Sequence, residues 1–346
     1  MFLAWFTFTP PFAAVTAAGT VALCGVLALV LALWIDRRLG EPPVALHPVV
    51  WMGRYLAWCG QRTVRCLPAA AFGLGALAWC LGAAFTALVA LGLQTLLFWQ
   101  VGRTGWVMGW ADWAGAVLLM VCFAGVLKAT LSWRMLHREV LAVEAALGES
   151  LSAGRERLSW LVSRDTANLS ADEVRESAIE SLAENLNDSV VAPIFWFVLF
   201  GLPGAAVYRF ANTADAMWGY RGVRHGQTWE WAGKWAARMD DVLSWVPARL
   251  TALLIVAVTQ GVTFNTLRAE ARRTPSPNSG WPMAAMAIAL GIRLGKPGVY
   301  TLNAAGRIPQ AADTLKTIKK ASNVLLALVF MACSAMLFVA FYGIHR

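Results

Sequence analysis

Charge is missing from long stretches of this chain, and the gaps are long enough to cross a bilayer. No Asp, Glu, Lys or Arg occurs from Met1 to Ile35, from Leu67 to Gly102, from Ser189 to Tyr208 or from Ala321 to His345. Two further runs hold one charge each: Thr104 to Leu127 with Asp112, and Val242 to Leu267 with Arg249. A spanning helix needs about 20 apolar residues, so the pattern predicts an all-α, polytopic integral membrane protein with about six apolar helices. Ser279 to Ile292 is too short to span and reads as an interfacial or re-entrant piece. The first run has no basic segment ahead of it, and its first charges, Asp36, Arg37 and Arg38, follow it. It is therefore expected to stay in place as the first transmembrane helix, not to be cleaved as a signal peptide.

Composition agrees. Of 346 residues, 58% are hydrophobic and 14% charged, against about 45–50% and about 25% in soluble domains. Disorder is excluded by this richness in apolar residues. The six cysteines are scattered, without C-x-x-C spacing, and read as small reduced hydrophobes instead of a disulfide framework. Eighteen tryptophans suit long membrane–water boundaries, and a few could pack against a flat ligand ring. The net charge of +9 is accounted for by the loops of a membrane protein, so nucleic acid is not expected as a partner.

The polar segments 36–66, 128–188, 209–241 and 268–320 remain for chemistry, within what is expected to be one membrane-embedded domain spanning 1–346. Basic residues favour the cytoplasm. Strict alternation from an outside N-terminus puts 36–66, 128–188 and 268–320 inside, with Arg103 alone between the second and third runs. It leaves 209–241, with five basic residues, outside. Pro193 and the Gly201-Leu202-Pro203-Gly204 turn could make 189–208 a re-entrant hairpin, which relieves that conflict but moves 268–320 outside unless another segment also fails to cross.

Eleven of the twenty acidic residues lie between Glu139 and Asp188. Ser170-Ala171-Asp172-Glu173 has the form of a capping box, so a helix is expected to begin near Ala171. Val174, Ala178, Leu182 and Leu186 make its apolar stripe; Glu173, Glu176, Glu180, Glu184 and Asp188 make an acidic one. None of those five has a Lys or Arg three or four residues away, so like charges repel along the face. Either the face is solvated, or it holds a hard cation such as Mg²⁺, which wants oxygen ligands and bridges to phosphates. Asn185, Asn187 and Asp188 close the helix with further oxygens, and Arg164-Asp165 and Asn168 stand just ahead of it. Asp240-Asp241, at the entry to another apolar run, is a second cation candidate. Arg249 either snorkels to the interface or makes a functional pair, Asp112 is expected at the interface, and His47-Pro48 is expected to shape a turn. The chain has no P-loop, no G-x-G-x-x-G after a strand, no H-E-x-x-H and no G-x-S-x-G. His47, His137, His225 and His345 are too scattered to suggest zinc.

Several blocks in order carry a family resemblance. Ser163-Arg164-Asp165-Thr166-Ala167-Asn168-Leu169 is followed by Glu176-Ser177-Ala178-Ile179-Glu180-Ser181-Leu182-Ala183-Glu184-Asn185-Leu186-Asn187-Asp188-Ser189. Then come Tyr208-Arg209-Phe210-Ala211-Asn212-Thr213-Ala214-Asp215, Trp231-Ala232-Gly233-Lys234 with Arg238 and Asp240-Asp241, and Trp245-Val246-Pro247-Ala248-Arg249. Asp36-Arg37, Gly40-Glu41-Pro42 and His47-Pro48 stand upstream; Asn278-Ser279-Gly280-Trp281 and Gly295-Lys296-Pro297-Gly298 stand downstream. From about residue 30 to about residue 305 the chain resembles the adenosylcobinamide-phosphate synthase family of cobalamin biosynthesis (CobD/CbiB).

The resemblance implies ATP-dependent amide ligation at the cytoplasmic face of the inner membrane. It implies that aminopropanol, or its phosphate, is joined to a propionate of adenosylcobyric acid, with other membrane-bound enzymes of the pathway as further partners. ATP and Mg²⁺ are the implied cofactors. Onto this chain it carries Glu176, Asp165 and Asp215 as catalytic candidates. Arg164, Asn168, Arg209, Asn212, Lys234 and Arg238 become candidates for holding ATP, and Glu180, Glu184, Asn185, Asp188, Asp240 and Asp241 for the metal. A corrinoid transporter and an AmpE-like, non-enzymatic membrane regulator are the alternatives. A transporter would put its polar residues at the bilayer midplane, and a regulator needs no unpaired acidic stripe; here the polar motifs lie mainly outside the apolar runs, which favours an enzyme.

Overall fold

A computed structural model describes residues 14–102, 110–220, 222–224, 226–259 and 263–344. Arg103, His225 and His345, singled out above, lie outside them. The elements in order are α1 (Ala14–Leu39), α2 (Pro48–Thr63), α3 (Pro68–Gly102), α4 (Trp110–Ala129), α5 (Trp133–Glu149), α6 (Leu151–Leu158), α7 (Ala171–Leu186) and α8 (Ala192–Trp218). After the hairpin β1 (Val223–Arg224) and β2 (Gln227–Thr228) come α9 (Glu230–Ala257), α10 (Phe264–Ala271) and α11 (Gly280–Leu290). A second hairpin, β3 (Leu294–Lys296) and β4 (Tyr300–Leu302), precedes α12 (Ala311–Ile344). The chain is thus nearly all helix, as the apolar pattern predicts.

Among the described residues, five helical stretches are long and apolar enough to cross a membrane: Gly19–Leu39, Pro68–Gly102, Asp112–Glu149, Ala171–Trp218 and Ala311–Val339. Leu77, Leu81, Phe85 and Leu88 on α3 and Phe330 and Phe338 on α12 face outward, as lipid-facing positions should. The sixth apolar run, Val242 to Leu267, yields no such stretch. Its helix, α9, carries Lys234, Arg238, Asp240, Asp241 and Arg249 and ends at Ala257, leaving only a short uncharged end.

The contacts group the chain into two compact units, each drawn from separated stretches. The first comprises 1–132, 192–243 and 329–346. Its core is made by Leu56 and Cys59 of α2, Ala78, Trp79 and Ala83 of α3, Phe210, Ala214 and Trp218 of α8, and Ala236 of α9. Small residues let these helices close up: a Cβ on Gly82 would stand 2.3 Å from the Phe210 ring. In α8 the turn sequence breaks the helix. Gly201 has φ 70° and ψ −158°, and a Cβ on Gly204 would meet the Trp196 carbonyl at 2.4 Å, so the chain bends sharply there. Gln94, buried in the apolar α3, accepts from the Leu202 backbone N–H at 2.9 Å and so caps the new start. Another polar cluster forms where α1, α2 and α4 meet. Lys128 Nζ lies 2.7 Å from Glu41 Oε2 and 3.4 Å from Asp36 Oδ1, and His47 Nε2 lies 3.1 Å from the same Glu41 oxygen. His47 also caps α2 through Nδ1, with Pro48 in the first turn.

The second unit comprises 133–191 and 244–328. Val143, Leu158, Leu169, Val174 and Ala178 form a core between α5, α6 and α7. α7 starts at Ala171 under a complete capping box: Glu173 N donates to Ser170 Oγ, and Ser170 N donates to Glu173 Oε2. The chain does not stop at Asn187 and Asp188 as expected. It passes through a π turn, Asn187–Val191, and stays helical. The turn is braced by Asn187, whose Oδ1 accepts from Thr251 at 3.0 Å and whose Nδ2 donates to Asp188 at 2.7 Å.

Candidate functional site

Burial bears on the solvated reading of the α7 face. Val174, Ala178, Leu182 and Leu186 are buried as expected, but so are Glu176 and Glu180, each about as inaccessible as the apolar stripe. A solvated face is therefore excluded for both. The missing counter-charges come from far along the chain. Arg293 donates to Glu176 Oε1 at 2.9 and 3.2 Å across 117 residues of sequence. Arg164 Nη2 donates to Glu180 Oε2 at 2.7 Å, and the Tyr300 hydroxyl donates to Glu180 Oε1 at 2.5 Å.

The β3–β4 hairpin delivers two of these partners. Leu294 pairs with Leu302 and Lys296 with Tyr300, and Gly298 takes φ 71° in the tight turn between them, a backbone that only glycine adopts freely. Arg293 thus stands at the foot of the hairpin, and Lys296 and Tyr300 face each other near its tip. Burial, and then the Glu180 charge beside it, push the Tyr300 phenol above its ordinary range, so it stays a proton donor at any physiological pH.

Between α7, the hairpin and the 275–279 loop lies a cavity of about 330 Å³. Arg164, Lys296, Glu180, Glu184, Asn185 and Ser276 are among its polar lining residues, and Ser279 and Tyr300 line it too. Arg164 Nη1 is buried and has no hydrogen-bond partner among the described residues. Neither the Lys296 ammonium nor the Glu184 carboxylate has a hydrogen bond or ion pair there. Cationic donors and an acceptor thus face one small space with their capacity unspent. A second cavity, lined by Glu173, Glu176, Arg293 and the hairpin, shares Lys296, Val299 and Tyr300 with the first.

Glu176, Glu180, Glu184, Asn185, Asp188 and Arg164 all belong to this unit, as do Asp165 and Asn168. Asp165 is exposed and accepts from Ala167 N at 2.9 Å in a local turn. Asn168 is exposed as well, and Asn185 donates back to the Ser181 carbonyl. Arg209, Asn212, Asp215, Lys234, Arg238, Asp240 and Asp241 belong to the first unit. There Asn212 Nδ2 lies 3.4 Å from Asp240 Oδ1, Lys234 stacks on Trp231 with its nitrogen 4.2 Å from the ring centre, and Arg238 is exposed. No cluster of three or more His, Cys, Asp or Glu able to hold a metal ion occurs among the described residues. The sequence reading missed Arg293, Tyr300 and Ser276, and named Lys296 only within a family block, with no role. The glycines and proline around Lys296 signal a tight turn, but nothing local ties that turn to α7.

Comparison with known proteins gives the lineage. The model of the CobD/Cbib protein family matches residues 29–330. The chain belongs to that family. It is 38% identical over 317 residues to a probable cobalamin biosynthesis protein CobD of Methanothermobacter thermautotrophicus, covering 90% of this chain and 98% of the relative. It is 39% identical to the Thermococcus kodakarensis protein of the same description, covering 84% and 88%. A cobalamin biosynthesis protein CobD of Brucella anthropi is 36% identical over 309 residues, covering 83% and 89%. No solved structure matches the chain. Membership places the protein in cobalamin biosynthesis, and the matched region contains the whole of the cavity described above.

Proposed function

We propose that the protein joins aminopropanol, or its phosphate, to a propionate of adenosylcobyric acid at the expense of ATP, at the cytoplasmic face of the inner membrane. The observation that carries this reading is the α7 cavity, where the unspent donors of Arg164 and Lys296 face the unpaired Glu184 carboxylate. Such a space suits a small substrate bearing both an ammonium and a phosphate better than it suits an apolar ligand. A carboxylate does not condense with an amine until one of its oxygens becomes a leaving group. Attack of the propionate oxygen on the γ-phosphorus of ATP expels ADP and gives an acyl phosphate. The amine then attacks the acyl carbon, loses a proton and expels phosphate, leaving the amide.

Little covalent chemistry is left to the protein, so positioning and charge stabilisation are its main contributions. Arg164 and Lys296 would bind phosphate oxygens, and Glu180 fixes one of them. Mg²⁺ needs only one or two carboxylates when phosphate and water complete its shell. Glu184 with the Asn185 amide oxygen fits that demand, because Glu176 and Glu180 are already engaged by arginines. When bound, the ion would neutralise charge developing on the transferred phosphoryl group.

The test is mass spectrometry of the product after the purified full-length protein in lipid nanodiscs meets adenosylcobyric acid, ATP, Mg²⁺ and either amine. The expected result is adenosylcobinamide or its phosphate, with one ADP formed per amide. Product formation without ATP, or none with every component present, would overturn the reading.

A further inference from the structure

The order of contacts around Glu180 assigns it a role different from that of a metal ligand. Both of its carboxylate oxygens are occupied: Oε1 by the Tyr300 hydroxyl at 2.5 Å and Oε2 by Arg164 Nη2 at 2.7 Å. The carboxylate is nearly inaccessible to solvent, so an ion would have to displace a charge-assisted hydrogen bond to reach it. What the arrangement leaves over is on the arginine. Its Nη1 is buried without a partner, beside the cavity that Lys296 also lines. A buried donor left unsatisfied is costly, and a ligand oxygen placed there removes the cost.

We propose that Tyr300, Glu180 and Arg164 form a clamp that presets Arg164 Nη1, which with Lys296 makes an oxyanion subsite for a phosphate group. Glu180 and Tyr300 are then positioning residues, and Arg164 and Lys296 touch the ligand. The geometry follows from chemistry at each step. A neutral phenol can only donate to a carboxylate already holding a guanidinium, so the hydrogen bond fixes the rotamer of Glu180. Glu180 in turn takes Nη2 of the guanidinium and leaves Nη1 without a partner on a side chain that lines the cavity. Lys296 comes from the hairpin strand opposite Tyr300, so the same two-stranded element sets both the clamp and the second cation. The proposal deepens the ligase reading for the same cavity, and the phosphate could belong to ATP or to the phosphorylated amine.

Binding separates these cases without turnover. Inorganic phosphate, ATP and aminopropanol phosphate are titrated separately against the full-length protein in nanodiscs by calorimetry, with no corrinoid present. Lys296→Gln and Tyr300→Phe are each expected to weaken phosphate binding by about tenfold, the worth of one hydrogen bond to a charged group. In turnover, Tyr300→Phe should raise the KM of whichever phosphate-bearing substrate sits there and change kcat less. If ATP alone competes with inorganic phosphate, the subsite belongs to the nucleotide; if aminopropanol phosphate competes, it belongs to the amine. Should Tyr300→Phe unfold, Lys296→Gln still decides the matter, because the Lys296 ammonium holds nothing in place. Wild-type phosphate affinity in Lys296→Gln, or recovery of Glu180→Gln by added Mg²⁺, overturns the proposal. Phosphate binding that follows this pattern in a wild-type protein making no amide sinks the ligase reading and keeps the subsite; amide formation with phosphate affinity indifferent to these residues does the reverse.

Discussion

Two buried charge clusters, one in each unit, look alike at first and differ in what they leave over. In the first unit, Lys128 is buried beside two carboxylates, the buried Asp36 and the half-buried Glu41, and His47 completes the set. The lysine's charge is spent on its neighbours. In the second, Arg164 and Arg293 satisfy Glu180 and Glu176, yet Arg164 Nη1, Lys296 and Glu184 remain unspent beside a cavity. Burying ions costs several kcal/mol each before pairing returns any of it, so both clusters need a reason to persist. The first also leaves an acceptor, Glu41 Oε1, buried without a hydrogen-bond partner among the described residues, but its lysine is shared between two carboxylates and ties α4 to the chain between α1 and α2. The second borders a cavity, and the proposed ligand subsite rests on that difference.

The comparison breaks most visibly at Lys128. Lys128→Met leaves the buried Asp36 without its lysine and Glu41 with His47 alone, and is expected to cost about 3–5 kcal/mol. Chemical unfolding of the protein in nanodiscs measures this, and a wild-type midpoint would show that the cluster is not structural. Lys296→Gln should do the opposite. Amide formation is expected to fall about 10²-fold, in line with loss of one charge-stabilising donor, while stability stays within about 0.5 kcal/mol. A variant that unfolds but turns over normally when folded would reverse the assignment of the two clusters.

Acid sharpens the same contrast. Burial tends to raise the Glu41 pKa, but hydrogen bonds from His47 and Lys128 outweigh it and hold the carboxyl below its ordinary value. A group with a depressed folded-state pKa contributes stability that is present above its unfolded value, about 4.3 for glutamate, and is lost as pH falls through the folded value. The unfolding midpoint should therefore drop on acidification below that range, and Glu41→Gln should flatten the acid limb. Parallel acid limbs for the two proteins would exclude Glu41 as a source of it.

Much of the fold is legible in local patterns because local physics makes it. The Ser170–Glu173 capping box starts α7 where a four-residue signature says it should, and the Gly201–Gly204 sequence bends α8. Five of the apolar runs become helices long enough to cross a bilayer. The site was half legible. The acidic face of α7 stands out because none of its carboxylates has a Lys or Arg three or four residues away, but its partners are 16, 117 and 120 residues away. Spacing along a helix cannot see Arg293 or Tyr300. Gln94 escaped for the same reason: one polar residue in an apolar run gives no hint that it caps a break 108 residues on.

Arg249 gives the smallest expected effect and a finer test of how the second unit shapes its cavity. It is neither an idle interfacial charge nor a ligand. Its Nη1 donates to the Trp245 carbonyl at 2.8 Å and to Asn278 Oδ1 at 2.7 Å, and its Nη2 donates to the Pro277 carbonyl at 3.1 Å. The guanidinium also lies 4.5 and 4.9 Å from the ring centres of Trp245 and Trp281. These contacts pin the 275–279 loop, whose Ser276 and Ser279 line the cavity. Arg249→Lys keeps the charge but loses the planar fork, so it should cost about 1–2 kcal/mol, one or two hydrogen bonds' worth. Because the loop is a wall of the site and not its chemistry, the KM for the phosphate-bearing substrate should rise a few-fold with kcat little changed. Hydrogen exchange at the backbone amides of residues 276–281 should quicken in step. Unchanged exchange and KM would return Arg249 to the membrane interface and leave the loop to be held by its own turns, in which Ser276 Oγ accepts from the Asn278 and Ser279 amides.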